Sequence, residues 1–288
     1  KQGIDNVGTT EKVRVSYQYG VHTASATAVV TIAADCQLKT EHGSTGVWLG
    51  TLPRNSANTH GTMNINGSVT ANEGWALVTN GLDKGASDLV INVASTASLK
   101  GGESAAYLAG YAITTIEGGE YKGMMDIRAG ELTINNGSFT HEGDDAVEFM
   151  EDGNSNGSAV KQGSCNIAIA QHVTKLPTIV TINGGTFSAV TPVAQANPQE
   201  SDEHSAELVK CYIKGGDFKS TSENPDNDIL VSYEKAQRIF ATAGFYNEKP
   251  AETCIAKGYK AIPITAEGDG GKYKEKYDLG YRWRIGLP

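Results

Sequence analysis

Apolar and polar positions alternate along this chain in short runs that end on glycine or asparagine, and one such run keeps returning. From Thr178 to Val190, TIVTINGGTFSAV, there is a β-branched alternation, an Asn-Gly-Gly corner, one aromatic residue and then small residues. Ile116-Glu-Gly-Gly-Glu-Tyr121, Ile182-Asn-Gly-Gly-Thr-Phe187 and Ile213-Lys-Gly-Gly-Asp-Phe218 share the phrase. Ile134-Asn-Asn-Gly-Ser-Phe139 carries Asn at the first glycine, Ile65-Asn-Gly-Ser-Val69 is one residue shorter, and Ala243-Gly-Phe245 is a worn copy. A period of two predicts strands. Glycine or asparagine after the strand accepts positive φ, so a sharp corner costs little. Gly118, Gly119, Gly137, Gly184, Gly185, Gly215 and Gly216 are the predicted corners, and the aromatic residue or Val after each corner is predicted to turn back into an interior.

Between these phrases lie GWALVTNG (74–81), SAAYLAGY (104–111), GMMDIRAG (123–130) and DAVEFMEDG (145–153). They are short and alternating and read as the opposite wall of the same coil. The isoleucines at 116 and 134 are one coil apart. From 134 to 182 the spacing fits two coils, or one coil with a long excursion; from 65 to 116 it fits two, with Ile91-Asn-Val93 as the middle rung. Recurrence of one phrase in one chemical direction predicts an all-β parallel solenoid, with an antiparallel hairpin sandwich as the structural rival. About ten rungs at about 4.8 Å each would make a rod of roughly 45–50 Å.

The rhythm sets the expected boundaries: an N-terminal β cap or pair of assembly strands over 1–40, a solenoid over 41–245, and a C-terminal capping segment of the same domain over 246–288. Val13, Val15 and Tyr17, then the alternation through Thr27–Ile32, supply the N-terminal strands, and residues 1–35 could equally grip a neighbouring subunit. A short helix is expected over Tyr233–Phe240, a last strand around Tyr259–Ile262, and an aromatic lid from KYKEKYDLGYRWRIG. Two polar stretches, 151–176 and 189–206, read as loops thrown out of the wall. Such insertions tend to share a face in repeat proteins, and that face is commonly the binding face.

Composition narrows the function classes. The 288 residues carry a formal charge of -9, 39% hydrophobic residues and 34 glycines. The acidic balance disfavours nucleic acid and anionic membranes as partners. No apolar run is long enough to span a bilayer, and the polar opening KQGIDNVGTTEK reads as a mature start rather than a signal peptide. Cys36, Cys165, Cys211 and Cys254 are too scattered for a zinc knuckle or a CxxC pair. They read as small apolar core residues, with a Cys211–Cys254 disulfide as the alternative if the protein is exported.

Candidate chemistry concentrates in HEGDDAVEFMEDGNSNGS, His141 to Ser158. Gly143-Asp144-Asp145 is similar to the Gly-Asp-Asp phrase of polygalacturonase-type glycoside hydrolases. That resemblance implies that Asp144, Asp145 and Glu148 would divide leaving-group protonation and water activation among them. The family's Asn-Thr-Asp, Gly-His-Gly and Arg-Ile-Lys phrases are missing from this chain, and adjacent strand residues point to opposite faces. Asp152-Gly-Asn154-Ser-Asn156-Gly157 matches the opening of a calcium loop, but its twelfth position is Gly163, so Glu148 or Glu151 would have to close the shell. An ordinary Asn/Gly turn explains it equally. Only Arg128 lies near the acids along the chain, which leaves a polysaccharide lyase unsupported. His141, His172 and His204 are too spread for a metal trio. The Asn-Gly-Ser triplets at 66, 136 and 156 coincide with corners. Trp48 and Trp75 could stack on sugars if exposed, although aromatics at rung positions are usually core.

The recurring I-x-G-G-x-F rungs, with Gly244-Phe-Tyr-Asn-Glu-Lys-Pro250, Ala256-Lys-Gly-Tyr259 and Tyr281-Arg-Trp283 near the end, resemble right-handed parallel β-helix proteins of the pectate-lyase-like kind, and more narrowly surface proteins of gut bacteria. The resemblance covers about residues 60–288. It implies a right-handed parallel β-helix and an extracellular, cell-surface or virus-particle setting. The expected function is a non-enzymatic, adhesin-like surface module that uses no cofactor. Its lateral loops, carrying Glu151, Asp152, Asn154, Asn156, Glu200, Asp202 and Glu203, would meet a glycan or protein partner. One form of this expectation makes the chain a subunit of an appendage or phage particle; the enzymatic rival is the hydrolase on Asp144, Asp145 and Glu148.

Overall fold

The structure, a computed structural model, describes residues 19–23, 28–41, 45–50, 61–80, 89–149, 158–172, 174–196, 208–224, 228–232 and 237–288. Three long sheets account for nearly all of its regular structure. The first takes Tyr19–Thr23, Thr45–Leu49, Trp75–Thr79, Ser104–Leu108, Met125–Ile127, Cys165–Ala170, Thr191–Ala196 and Leu230–Ser232. The second takes Val29–Ile32, Gly61–Ile65, Leu89–Val93, Ile113–Ile116, Gly130–Ile134, Thr178–Ile182, Val209–Ile213 and Ile239–Ala241. The third takes Gln37–Thr40, Ser68–Ala71, Ser98–Gly101, Glu120–Lys122, Ser138–Thr140, Thr186–Ala189, Asp217–Ser220 and Phe245–Tyr246, then continues through Trp283–Gly286 to Lys260–Pro263. The chain visits the sheets in turn, and successive visits pair in parallel. Only the last two strands of the third sheet, and a separate pair described below, are antiparallel. This is an all-β architecture of long parallel sheets, consistent with a β-solenoid. The described residues make eight circuits, fewer than the ten expected, because the spacing from Ile134 to Ile182 is a single circuit with an excursion. Tyr19 to Thr40 already supplies the first member of each sheet.

Register explains the recurring phrase. Ile32, Ile65, Val93, Ile116, Ile134, Ile182, Ile213 and Ala241 are successive partners in the second sheet. All of them are buried. In the third sheet Leu38, Val69, Leu99, Tyr121, Phe139, Phe187, Phe218 and Tyr246 make the matching column. Its five aromatic rings stack with centroids 4.4, 4.6, 4.8 and 5.0 Å apart and planes within 10°. That spacing follows the distance between neighbouring strands, so the backbone repeat itself sets the rings in stacking contact. Such a contact adds about 0.5–1.5 kcal/mol beyond burial.

The two glycines of a corner have different duties. Gly185 has φ +106° and holds the left-handed turn. Gly184 has no such φ, but a Cβ there would lie 2.6 Å from the carbonyl oxygen of Asn135 in the circuit before. The first glycine is therefore kept by close backbone approach, not by positive φ. At Gly118 the nearest obstacle is the Ser95 side chain at 3.1 Å, so this position is the looser one. Exposed asparagines beside the corner extend the ladder: Asn183 Nδ2 donates to Asn135 Oδ1 at 2.9 Å, and Asn135 Nδ2 donates to Glu117 Oε2 at 3.0 Å.

Four elements depart from the sequence reading, Cys165–Ala170 among them because it falls in the stretch 151–176 read as a loop. Thr191–Ala196, placed in a loop, is a first-sheet strand with all six residues buried. Val193 faces the main core while Ala194 and Ala196 pack in a second apolar cluster outside the sheet, so a strand of small residues is covered on both faces. DAVEFMEDG is not a wall strand: Glu148–Phe149 pairs antiparallel with Val160–Gln162. Cys165–Ala170 takes the wall position instead, because its six residues are all buried and its Ile167 and Ile169 reach the core. Ile239–Ala241 is a strand where a helix was expected, since Ile239 and Ala241 continue the buried column; residues 233–236 lie outside the described part. The expected last strand is present at Lys260–Pro263, and a short α-helix, Lys274–Asp278, lies in the aromatic tail. The end strand carries Lys260 and Pro263, both poor templates for a further strand.

Candidate functional site

Connection lengths single out one sheet. Between second-sheet and third-sheet strands two to four residues intervene in every circuit, as from Ile65 to Ser68 and from Val93 to Ser98. Between first-sheet and second-sheet strands the gap varies from two residues (Ile127 to Gly130) to twelve (Ala196 to Val209). Between third-sheet and first-sheet strands it varies from one (Ala189 to Thr191) to twenty-four (Thr140 to Cys165). Within the eight circuits every long connection therefore borders the first sheet; the two links of the C-terminal cap, Tyr246 to Lys260 and Pro263 to Trp283, stay within the third.

The outer face of that sheet is covered. Trp48, Val78, Tyr107, Asp126, Ala168 and Ala194 are successive partners with the parity opposite to the core residues, yet all but Tyr107 are buried. Tyr19, Trp48 and Val78 form one cluster there, with Trp75 and Tyr107 against it. Val147 and Phe149 of the excursion pack on a second, with Ala168, Ala170, Ala194 and Ala196. Trp48 is thus covered and Trp75 is half-buried beside Tyr107, so neither offers an open ring to a sugar.

A charged pair of positions sits in this covered face. Asp126 accepts hydrogen bonds from Ser158 Oγ and the Ala159 N–H, both at 2.7 Å, which moors the return of the excursion to the sheet. Burial raises its carboxyl from the ordinary 3.8 to about 6; Ala159, Arg128 and Ser158 each pull it back down. Arg128, fully buried, donates from Nε to the Ala170 carbonyl at 3.1 Å and from Nη2 to the Gln171 carbonyl at 2.8 Å, joining one circuit to the next. Its own pKa is lowered by burial. His172 is buried next to it and held down to about 4, by burial first and then by the Arg128 charge. Among the described residues, Nε2 and Oε1 of Gln171 and Nδ1 of His172 have no hydrogen-bond partner. Asp126 and Arg128 went unrecognised as a site in the sequence. Their signal was two charged residues at i and i+2 within an apolar wall segment, GMMDIRAG.

The predicted catalytic acids do not share this environment. Asp144, Asp145 and Glu148 are all exposed. Glu148 pairs with Lys161 at 2.5 Å, with both side chains about half in solvent, and the Asp145 carbonyl, not its carboxylate, accepts from the Ser164 N–H. His141 is held in place: its Nδ1 accepts from the Cys165 N–H at 2.9 Å, and burial lowers its pKa against the pull of Glu142. Glu151, Asp152, Asn154, Asn156, Glu200, Asp202 and Glu203 lie outside the described residues, as do the calcium-loop positions among them and His204. Among the described residues no group of three or more His, Cys, Asp or Glu side chains is placed to hold a metal ion. All four cysteines are free thiols, so the Cys211–Cys254 disulfide is not formed. Both sulfurs are buried, and burial raises the Cys254 thiol to about 12.

One further group lies on the outer face of the second sheet. Tyr212 and Phe240 are partners on adjacent strands with the parity opposite to Cys211, Ile213 and Ile239, and their rings stack at 5.5 Å. Lys210 and Lys214 stand two residues either side of Tyr212. Thr181 precedes Tyr212 in the column, with Asn183 beside it.

No helix among the described residues is long and apolar enough to cross a membrane. No protein-family model, curated protein or solved structure matches the chain.

Proposed function

We propose that the chain is a right-handed parallel β-helix acting as a non-enzymatic surface module, exported to the cell surface or carried on a virus particle, whose long connections meet a glycan or protein partner. Three parallel sheets visited in strict rotation supply the helix, and the strong preference of parallel crossovers for one hand supplies its sense. The observation that carries the function is that every long connection between sheets in the eight circuits lies on the borders of the first sheet, which concentrates sequence freedom there on a stiff scaffold. The chemistry agrees: Asp144 and Asp145 are exposed, Glu148 is engaged by Lys161, and the buried charged groups tie strands together. In the assembly form of this reading, residues 1–35 meet a neighbouring subunit through the outer edges of Tyr19–Thr23 and Val29–Ile32, whose inner edges pair within the chain.

The test is an oligosaccharide panel that reads binding and reducing-end release with the same protein. Binding without release, weakened by joint Glu200→Ala, Asp202→Ala and Glu203→Ala changes, supports a binding module. Release that disappears in Asp145→Ala overturns it in favour of the hydrolase. Filaments or particles in electron micrographs would identify the assembly form, and an experimental structure would check the hand of the helix.

A further inference from the structure

We propose that the second sheet carries a binding platform for an acidic polysaccharide in which uronate and neutral sugars alternate, centred on Tyr212 and Phe240. The proposal rests on the glycan form of the reading above and places the contact on a sheet face instead of on the loops. Three successive rows of outward residues define the platform: Ile179, Thr181 and Asn183; then Lys210, Tyr212 and Lys214; then Phe240 and Thr242. The inward neighbours Val209, Cys211, Ile213, Ile239 and Ala241 are fully buried, which fixes the opposite parity of Tyr212 and Phe240. The two rings are half-buried and stacked at 5.5 Å with a 26° tilt. They make a continuous apolar step as wide as one strand spacing, bordered by hydroxyl and amide groups. A sugar ring has the complementary make-up, a C–H face with hydroxyls at its rim.

The charges choose among sugars. Lys214 Nζ lies 6.0 Å from the Tyr212 ring centre, and among the described residues neither Lys210 nor Lys214 has an ion-pair partner. No acid occupies an outward position in these rows, although the chain as a whole carries -9. The two lysine Cα atoms are about 13 Å apart along the strand, with the aromatic midway. A neutral ring on Tyr212 would then place a uronate on either side, each carboxylate within reach of one lysine. An acetamido methyl on the neutral ring would lie against Phe240. Two lysines suit one point charge at each end, whereas dense sulfate or phosphate esters favour the arginine fork; Arg238, in the third row, is buried. Stacked bases with phosphates on the lysines are the other chemistry such a surface admits, and the acidity of the chain opposes it.

Calorimetric titration of the full chain with hyaluronan oligosaccharides tests this, beside neutral chitin oligosaccharides, a homopolyuronate, a sulfated oligosaccharide and oligothymidylate. The alternating oligosaccharide should bind most tightly and weaken as salt is raised. Tyr212→Ala, and Lys210→Ala with Lys214→Ala, should each reduce affinity at least tenfold, while Tyr212→Phe should retain it. Because these positions face outward, the unfolding midpoint of each variant, followed by circular dichroism, should stay near that of the parent. Absence of hyaluronan binding, tighter binding of any other probe, or binding indifferent to the platform changes overturns the proposal. Glycan binding lost only on the Glu200, Asp202 and Glu203 changes also overturns it, and leaves the loop reading standing.

Discussion

Asp126 gives the sharpest quantitative test of how the excursion is held. Its carboxyl is 1% exposed and raised from 3.8 to about 6. A raised acid stabilises the fold below its unfolded value and loses that contribution as pH rises through the folded one. At 1.36 kcal/mol per pH unit, ionising Asp126 costs the native state about 3 kcal/mol between pH 4 and pH 7. His172 acts in the opposite direction across the same window. Lowered from 6.5 to about 4, it stays neutral in the fold, so stability falls by about 3 kcal/mol as pH drops from 6.5 to 4. The parent protein should therefore show a shallow profile that conceals both. Subtraction exposes them. Urea unfolding of Asp126→Asn and of the parent, from pH 4 to 7.5, should give a stability difference that moves in the variant's favour by about 3 kcal/mol as pH rises. His172→Gln should show the reverse slope, gaining on the parent as pH falls. A difference for Asp126→Asn that is flat, or that moves in the parent's favour towards neutral pH, would refute the desolvated carboxylate.

Other expectations follow from the columns and corners. Phe187→Ala removes the middle ring of the stack and should cost about 3–5 kcal/mol in denaturant unfolding. Gly185→Ala, at φ +106°, should destabilise by more than about 1 kcal/mol in the same assay, and by more than Gly118→Ala, which needs no positive φ and whose Cβ comes no nearer than 3.1 Å to Ser95. In native protein a thiol reagent should label Cys36 quickly and Cys165, Cys211 and Cys254 only on unfolding, since Cys36 alone among them is exposed. Lys161→Ala breaks the exposed contact to Glu148 and should change stability by under about 1 kcal/mol.

What could be read in the sequence was whatever the main core dictates. The aliphatic residue before each corner, most often isoleucine, and the aliphatic or aromatic residue after it face the same interior in every circuit, so their recurrence gave the parallel columns, the corners and even the middle rung at Ile91–Val93. The covered face of the first sheet was illegible for a physical reason: a strand buried on both sides loses the polar half of its alternation. Thr191–Ala196 consequently looked like loop, while the alternating segment around Glu148 looked like wall but belongs to the excursion. Asp126 was hidden because its importance comes from Ser158 and Ala159, thirty-two and thirty-three residues away, folding back on it. Tyr212 was legible in principle. It immediately precedes Ile213, whereas Phe218 and its equivalents follow the corner by two residues, and that parity alone sends the Tyr212 ring outward.

The contrast among the three corners carries the functional argument furthest. At the corner between second and third sheets, successive circuits touch backbone to backbone. A Cβ on Gly215 would meet the Asn183 carbonyl oxygen at 2.2 Å, and Gly216 needs φ +107°. An insertion there would have to break two columns at once, the isoleucines on one side and the aromatic stack on the other. The borders of the first sheet have tight glycines too, such as Gly130 with φ +89° and a Cβ position 2.4 Å from the Ala112 carbonyl oxygen, yet their connections vary in length from circuit to circuit. Twenty-four residues leave and return at one of them while Met125–Ile127, one circuit earlier, and Cys165–Ala170 stay paired through Met125–Ile167 and Ile127–Ile169. The stiffness of the scaffold and the freedom of its loops are thus properties of different corners, so residues can change along the first sheet's borders without disturbing the columns that hold the fold.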